Sequence, residues 1–554
     1  MFVRVKTSPN SQKKSVQIVE SVRKGKKVSQ IIVRHVGTAL DDFELKKLKE
    51  LAEFYVVKLE SESNPTLFSP ETIAEIAINA RKTNQDEDKP LKVNLKNIRE
   101  EARVVTGIHE VYGQIYKDLG FDKVIKNSQR NVAASKNLFN IVLARIANPT
   151  SKRSSVMDLE KDFGVKLSLE GVYKMMDKLD DEAIEKIELL AYSNAQKILK
   201  EKINVAFYDC TTLYFESFTE DELKQNGYSK EMKFNQPQVL LGLISTSEGL
   251  PIGYGLYAGS QYEGTTLSDA TKRLKEKYEV DKVVVVADSG LLSQDNQDKL
   301  EKEDLDYILG ARIKNMNQKV EKQILDKSKY KKITDEENEE VLEIQLAENK
   351  RLIVSYSPKR AEKDKHDREK AVMKLKEKIG KSKNPASLIS NYGYRKYLKI
   401  EGQTKVELDE EKLAKSAAWD GLHGIITNKK DITAKEILDY YHQLWQIEEN
   451  FRISKHDLRI RPIYHWSPKR VKAHIAISFM ALVCVRHLEY RVKRQYKKLS
   501  PEVIKNQLLH SQCSILKDIT TNKKYCLPSK TTRELKKIYQ TVGKKIDSVP
   551  FEIK

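Results

Sequence analysis

Two aspartates each follow a short apolar run that is typical of a buried strand. Asp209 ends the run "INVAFYD", and Asp288 ends the run "KVVVVAD". Ligands of open α/β sheets bind at the carboxyl ends of the strands, so neighbouring strands would bring these two carboxylates together. Two like charges at one place are costly unless a cation neutralises them. Because all ligand atoms would be oxygens, the expected cation is Mg²⁺ or Mn²⁺. The alternative for Asp288 is a turn or helix cap in "DSGLLSQDN".

A third carboxylate, Glu448, lies in the stretch "YYHQLWQIEENFRISK". On a continuous α-helix, Tyr441, Glu448 and Lys455 are seven residues apart and share one stripe. Arg452 lies one turn beyond Glu448 and beside that stripe. The adjoining apolar face comprises Leu444, Ile447 and Phe451. This spacing predicts either a row of reactive side chains beside a buried face or a solvated surface on which Glu448 forms ion pairs.

The chain is strongly basic, with a net charge of +20 over 554 residues. That balance favours a polyanionic partner, nucleic acid before an anionic membrane, or it reflects a lysine-rich composition. Downstream of Glu448, the segment "KHDLRIRPIYHW" places Arg459 and Arg461 beside aromatic residues, as in a DNA groove lining or a solvated turn. Trp445 could stack on a base or pack in the core.

The pattern from residue 203 to 313 predicts strand, strand, strand, helix, strand, helix, strand. A hairpin meander that leads into a parallel crossover favours a mixed α/β sheet. Residues 314–420 suggest an insertion with its own small sheet and a densely charged, solvated helix. The strand "GLHGIITN" returns to the main fold. Thr433 and Glu436 then predict a capping box, so the helix that carries Glu448 should begin between Ile432 and Ala434.

These patterns divide the chain into six parts and a polar linker that ends at Pro90. The parts are an α+β region (1–85), a helical region (91–200), the first part of the core (201–313), the β-rich insertion (314–420), the second part of the core (421–492) and a basic helical region (493–554). Within the helical region, "DLEKDFGVKLSLEGVYKMMDKL" predicts a helix, a turn at Gly164 and a helix capped by Ser168. This is either a DNA-reading helix-turn-helix or a plain helical hairpin.

The cysteines and the hydropathy pattern indicate the cellular compartment of the protein. The four cysteines include no CxxC pair, which predicts neither a zinc site nor a disulfide framework and favours a reducing compartment. The N-terminus "MFVRVKTSPN" has no apolar signal core. The longest apolar run, 475–485, is too short to span a bilayer and predicts a buried helix. We therefore expect a cytoplasmic protein without a membrane partner.

Taken together, "YDCTT", "VADSG" and "YHQLWQIEENFRISK" resemble the three signature regions of bacterial insertion-sequence transposases with a ribonuclease H-like catalytic domain. These enzymes carry an Asp-Asp-Glu triad whose glutamate lies in the pattern Y-x2-R-x3-E-x6-K. The residues that match the triad are Asp209, Asp288 and Glu448. Tyr441 and Lys455 match the pattern, whereas its arginine position is Leu444. The stretches "LYAGSQYEGTTL" and "WDGLHGIITN" look like the linking segments of the family.

The resemblance implies a ribonuclease H-like mixed sheet with an inserted β-rich subdomain, preceded by a mainly helical DNA-binding region. It implies a cut-and-paste transposase that cleaves DNA at the ends of an insertion sequence and joins the strands to target DNA. The triad would hold two Mg²⁺ or Mn²⁺ ions, with Asp209 on both, while Tyr441, Arg452 and Lys455 would contact phosphate or sugar. A homodimer on paired terminal inverted repeats is also implied.

Two alternatives stay open from the residues alone. One is a ribonuclease H-like nuclease that cuts DNA without joining it. The other is a non-catalytic DNA-binding derivative, against which the presence of all three acids argues.

Overall fold

The computed structural model describes most of the chain. The described residues are 1–8, 11–24, 27–39, 45, 48–49, 51–53, 55–56, 59, 93–127, 129–216, 218–227, 235–278, 284–333, 339–381, 396–401 and 405–553. The predicted linker that ends at Pro90 lies outside them.

The chain forms two compact units. The first comprises Met1–Lys178 and Cys484–Lys554, and the second comprises Leu179–Val483. The helix that ends at Leu199 belongs to the second unit, whereas we expected the core to begin at residue 201.

The N-terminal part of the first unit begins with an antiparallel sheet. Its strands, in spatial order, are β1 (Phe2–Ser8), β2 (Ser11–Lys24) and β3 (Lys27–Ala39). Among the described residues from 93 to 178, a fourth strand and four α-helices follow: β4 (Ile98–Val105), α1 (Gly113–Asp118), α2 (Val132–Ala147), α3 (Lys152–Phe163) and α4 (Leu169–Met176). Gly164 ends α3 at a φ of 66°, and the Ser168 hydroxyl caps α4 by accepting from the Gly171 amide. The predicted helix, turn and helix are confirmed at these positions.

The second unit opens with the predicted alternation of strands and helices. Its elements are α5 (Asp181–Leu199), β5 (Val205–Tyr214), β6 (Gln238–Thr246), β7 (Pro251–Ala258), α6 (Glu263–Tyr278), β8 (Val284–Ala287), α7 (Gln294–Lys302) and β9 (Asp306–Ala311). The strands lie in the order β7-β6-β5-β8-β9. β6 is antiparallel to β5 and β7, whereas β5, β8 and β9 are parallel. This mixed sheet confirms the predicted fold class and has the strand order of a ribonuclease H-like core.

The insertion is β-rich, but most of its strands extend the core sheet. Its elements are α8 (Gln318–Leu325), β10 (Lys331–Lys332), β11 (Glu340–Ala347), β12 (Lys350–Tyr356), α9 (Pro358–Lys381), β13 (Leu398–Glu401), β14 (Lys405–Leu408) and α10 (Glu410–Ala417). The returning strand β15 (Leu422–Thr427) pairs with β9, and β12, β11 and β10 continue the sheet beyond it. Only β13 and β14 form the separate small sheet that we expected for the whole insertion. The pairing of β15 with β9 is favoured because β9 would otherwise be an open edge of the sheet.

The helix that carries Glu448 begins as predicted but does not continue as one α-helix. α11 (Ala434–His442) starts at Thr433, where the Thr433–Glu436 capping box is present. A short break separates it from α12 (Trp445–Arg452), which passes into a π-helical turn over Ile453–Asp457. The following helix, α13 (Pro468–Gln495), is long and apolar enough to cross a membrane, but 94% of its apolar window is buried within the protein. The prediction of a buried helix over 475–485 is thus confirmed.

The C-terminal part of the first unit is mixed rather than helical. It contains α14 (Pro501–Leu509), β16 (Gln512–Asp518), β17 (Lys524–Pro528), α15 (Arg533–Thr541) and β18 (Phe551–Ile553). These strands form a sheet with β4 in the order β18-β17-β16-β4. The two edges of this sheet thus come from distant parts of the sequence.

A disulfide joins Cys513 to Cys526, whereas the sequence predicted no disulfide framework. The two cysteines are 13 residues apart, and their Cα atoms lie 5.7 Å apart on the neighbouring strands β16 and β17. This pairing arises from strand register, which the spacing of cysteines in the sequence does not reveal. Cys210 and Cys484 are free and buried.

Candidate active site

Asp209 and Asp288 occupy the same level of neighbouring parallel strands. The pairing of β5 with β8 runs from Val205 opposite Val284 to Tyr208 opposite Ala287, so the next position on each strand is an aspartate. In-register side chains of parallel strands project to the same face. Asp288 follows the last residue of β8 as predicted, whereas β5 continues past Asp209 to Tyr214.

The residue before Asp209 shows to which face of the sheet the Asp209 side chain points. Tyr208 is buried, and its hydroxyl donates to the Thr266 hydroxyl on α6 over 2.8 Å. Because successive side chains of a strand alternate, Asp209 points to the face opposite α6. Asp209 is half-buried there, and Asp288 is exposed.

Tyr441, on α11, reaches this row of side chains. Its hydroxyl donates to Oδ1 of Asp288 over 3.1 Å. Burial and then the charge of Asp288 raise the pKa of Tyr441, so the phenol stays protonated. The His423 ring lies 4.9 Å from the Tyr441 ring, tilted by 45°. Burial, followed by the positive charge of Arg360, lowers the pKa of His423 to about 4, which leaves a neutral imidazole at pH 7.

Gly310 makes room for the Tyr441 hydroxyl. The parallel pairing of β8 with β9 places Leu309 opposite Ala287, so Gly310 is the sheet neighbour of Asp288. A Cβ atom on Gly310 would clash with the Tyr441 hydroxyl and would lie 2.8 Å from the Ser289 amide nitrogen. Neither Gly310 nor His423 was predicted from the sequence. The glycine inside the strand "YILGARI" was a usable signal, because such a glycine often marks a close approach.

Glu448 lies in the first turn of α12 and is exposed. Its negative charge contributes, after burial and Asp288, to the raised pKa of Tyr441, so the three side chains belong to one neighbourhood. α12 packs on β5 and β6, and the buried Asn450 amide donates to the Gly249 carbonyl over 3.1 Å. Ile447 and Phe451 are buried, as the apolar pattern predicted.

The break before α12 changes the predicted stripe. Tyr441, Glu448 and Lys455 lie on three successive segments, so the two-turn spacing of one α-helix does not describe their positions. Leu444 lies in the break and is only 8% exposed. The position where the resemblance would place an arginine is therefore buried.

Arg452 and Lys455 have different surroundings. The guanidinium of Arg452 pairs with Glu449 at 2.7 Å and with Asp457 at 3.3 Å. The hydrogen bond with Glu449 is the main cause of its raised pKa. Lys455 is half-buried within the π-helical turn.

The remaining predicted DNA contacts lie on the same unit. Trp445 is 47% exposed, so it is not a core residue. The Arg461 guanidinium lies over the Tyr214 ring at 5.5 Å, and Arg459 is exposed with a φ of 44°. The Ile463 amide donates to the Tyr214 carbonyl over 3.2 Å, which holds this segment beside the end of β5.

The donor set suits a hard divalent cation, although the acids are not preassembled. Asp209, Asp288 and Glu448 supply carboxylate oxygens only, which Mg²⁺ and Mn²⁺ prefer. In the described part of the chain, no three His, Cys, Asp or Glu side chains are grouped closely enough to hold a metal ion. The residues fit the ion by chemistry, and Glu448 lies on a helix, whereas the two aspartates lie on or directly after strands of the sheet.

Comparisons with known proteins agree with this architecture. The model of the transposase DDE domain family matches residues 200–484. No curated protein matches the chain. Similar solved structures include a piggyBac transposase synaptic complex with hairpin DNA, at 9% identity and a TM-score of 0.37 over 73% of this chain and 76% of that chain. A Mos1 transposase paired-end complex with the left transposon end has 11% identity and a TM-score of 0.14 over 45% and 70%.

These TM-scores are low, so the family assignment rests on the family model, which covers just over half of the chain. The chain belongs to the transposase DDE domain family and is a DDE transposase, an enzyme that acts on DNA.

Proposed function

We propose that Asp209, Asp288 and Glu448 are the catalytic acids of this transposase and bind divalent metal ions at DNA ends. The observation that carries the proposal is the in-register placement of Asp209 and Asp288 on one face of the sheet, with Glu448 near Tyr441. Two Mg²⁺ or Mn²⁺ ions, when bound, would activate the attacking hydroxyl and neutralise charge that develops on the phosphate. The reaction is cleavage at the ends of an insertion sequence followed by strand transfer.

The chain's own residues would hold and orient the DNA around these acids. Lys455, Arg459 and Arg461 would neutralise backbone phosphates, which fixes the register of the duplex. The half-exposed Trp445 would stack on a base near the cut. Arg452 would contribute less because Glu449 and Asp457 already compensate its charge.

End recognition would involve the first unit and a second copy of the chain. The helix pair α3–α4, joined at Gly164, has the shape of a helix-turn-helix reader of terminal repeats. The similar structures are complexes with hairpin DNA and with a transposon end. The resemblance of the sequence to insertion-sequence transposases supports a homodimer that holds two ends of its own element, in the cytoplasm of a bacterium.

Asp288→Asn in the full-length protein tests the assignment. The substitution keeps size and removes the charge, so cleavage and joining in Mg²⁺ should both fall by at least about 100-fold, while DNA binding in EDTA is retained. Asp295→Asn is the matched control, since Asp295 is an exposed aspartate on α7 that pairs with Lys299. Cleavage by Asp288→Asn at the wild-type rate would show that the acids are wrongly assigned.

The products of the wild-type reaction separate the alternatives. Joined products in a strand-transfer assay support the transposase reaction, and cut products alone would support a nuclease. Imperfect inverted repeats on both sides of the gene, flanked by short direct repeats, would independently support transposition.

A further inference from the structure

We propose that Tyr441 orients the carboxylate of Asp288 for metal binding, instead of making the predicted contact with phosphate or sugar. We further propose that Gly310 keeps open the space in which the Tyr441 hydroxyl lies. Both residues would then be positioning residues. The inference rests on the proposed function, in which Asp288 is a metal ligand.

The first step is the row of positions across three parallel strands. Asp209, Asp288 and Gly310 follow the last paired residues of β5, β8 and β9 at one level. The first two carry carboxylates, and the third carries no side chain. The Tyr441 hydroxyl occupies the side-chain space beside Gly310 and completes the row.

The second step is the hydrogen bond itself. Asp288 is exposed and begins a turn, so its carboxylate would otherwise sample several rotamers. The Tyr441 hydroxyl donates to Oδ1, which leaves Oδ2 and a lone pair of Oδ1 for a cation. Hydrogen bonds to a ligand oxygen commonly fix its orientation and raise metal affinity. A hydroxyl committed in this way is not a free donor for a phosphate.

The third step is the support of the phenol ring. Tyr441 is half-buried, and its ring lies 4.9 Å from the His423 imidazole on β15. β15 is itself held between β9 and β12 by regular pairing. The sheet therefore holds the phenol ring in place, and the hydroxyl can keep the Asp288 carboxylate in one orientation.

The fourth step is the steric requirement at Gly310. An alanine methyl at this position would press on the Tyr441 hydroxyl and on the Ser289 amide nitrogen. Because these contacts are so close, either the Tyr441 hydroxyl or the turn after Asp288 must move. Both movements would separate the Tyr441 hydroxyl from the Asp288 carboxylate, so Gly310→Ala should resemble loss of the hydroxyl.

The test uses the full-length variants Tyr441→Phe, Gly310→Ala and the double variant. Mn²⁺ alone is titrated into each protein, and free Mn²⁺ is measured by electron paramagnetic resonance. Each single change should raise the Mn²⁺ dissociation constant by about three- to tenfold, which corresponds to the typical net contribution of one hydrogen bond. The double variant should be no weaker than the weaker single variant, because both changes break the same hydrogen bond.

A second measurement separates the two roles of Tyr441. The affinity of each variant for a duplex oligonucleotide is measured in EDTA, where the metal makes no contribution. The inference expects unchanged DNA affinity. A loss of DNA affinity in Tyr441→Phe with wild-type Mn²⁺ binding would overturn it in favour of a phosphate contact, and multiplicative effects in the double variant would remove the role of Gly310.

Matched controls exclude general effects of the changes. Tyr440→Phe removes a hydroxyl from the adjacent residue, and Gly380→Ala adds a methyl where no atom lies within 4 Å; both should bind Mn²⁺ as the wild type does. Asp288→Asn distinguishes the two proposals. Wild-type Mn²⁺ affinity in Asp288→Asn would refute the metal site itself, whereas loss in Asp288→Asn with wild-type affinity in Tyr441→Phe would refute only the positioning role.

Discussion

Arg452 and Lys455 are three residues apart, yet their charged groups lie in different surroundings. Arg452 sits between the carboxylates of Glu449 and Asp457. A cation that is already compensated gains less from a phosphate, since DNA must first displace or share its partners. Lys455, half-buried in the π-helical turn that follows Glu448, matches the lysine of the family pattern and is therefore our candidate for a backbone contact near the cut.

This difference predicts unequal salt dependence of DNA binding. Each phosphate contact contributes about 0.9 to the slope of log affinity against log salt. Lys455→Ala should therefore lower the slope by about 1, and Arg452→Ala by less than about half of that. The measurement is the dissociation constant for a duplex oligonucleotide over a salt series. Lys415→Ala, which removes an exposed lysine paired with Glu411, is the control. A larger change in Arg452→Ala than in Lys455→Ala would contradict the assignment.

The helices around Glu448 show which features of an element local sequence can predict. The start at Ala434 was predictable because the Thr433–Glu436 pair is a local signal. The break at Gln443–Leu444 was not, because the stretch contains neither glycine nor proline. There the Gln446 amide bonds to the Gln443 carbonyl, three residues back, while Leu444 packs inward. Tertiary packing thus overrides a helical pattern that continues in the sequence.

The capping box should contribute measurably to the stability of the catalytic unit. The Thr433 hydroxyl accepts from the Glu436 amide over 3.2 Å, and Glu436 accepts in return from the Thr433 amide over 2.8 Å. Thr433→Ala leaves helix amides unsatisfied and should cost about 1 kcal/mol of unfolding free energy. Urea unfolding followed by circular dichroism measures the loss. Glu436→Gln, which keeps an acceptor, should cost less than half as much; equal costs would mean that the charge, not the hydrogen bond, stabilises the helix.

Strand register is also a property of the elements, but it depends on segments that are distant in the sequence. The order of strands and helices from 203 to 313 followed from local patterns and is confirmed. The alignment of Asp209, Asp288 and Gly310 was not accessible in that way, because it depends on how β5, β8 and β9 pair. The site could therefore be predicted by its acids but not by the glycine and histidine that shape it.

At the scale of the whole molecule, the β-rich insertion was predictable from the sequence, but its place in the sheet was not. The strand "RLIVSYS" pairs with β15, which closes the edge of β9, so the insertion and core share one sheet. The C-terminal strands likewise pair with β4, about 400 residues earlier in the chain. Such pairings leave no periodic signal, because each partner is only a short apolar run in its own neighbourhood.

Buried histidines make the stability of the molecule depend on pH. His487, in α13, is only 1% exposed. Burial, and then the charge of Arg491, lowers its pKa to about 3. Its folded pKa is below the unfolded value of about 6.5, so the unfolded chain binds the proton first as the pH falls. The contribution of this histidine is complete above about pH 6.5 and is lost progressively towards pH 3. The pKa of His423, in the other unit, is also lowered, to about 4, so its contribution to stability is likewise lost as the pH falls.

We therefore expect the wild type to lose stability between pH 7 and pH 5, and His487→Leu to lose less. At pH 5 the unfolded histidine is protonated and the folded one is not, a difference of about 2 kcal/mol for one group. Urea unfolding of both proteins at the two pH values gives the comparison. Leu488→Met is the control, because a packing change at the neighbouring buried residue should cost the same at both pH values. An equal acid-dependent loss in the wild type and His487→Leu would mean that His487 is protonated, or exposed to water, in the folded protein.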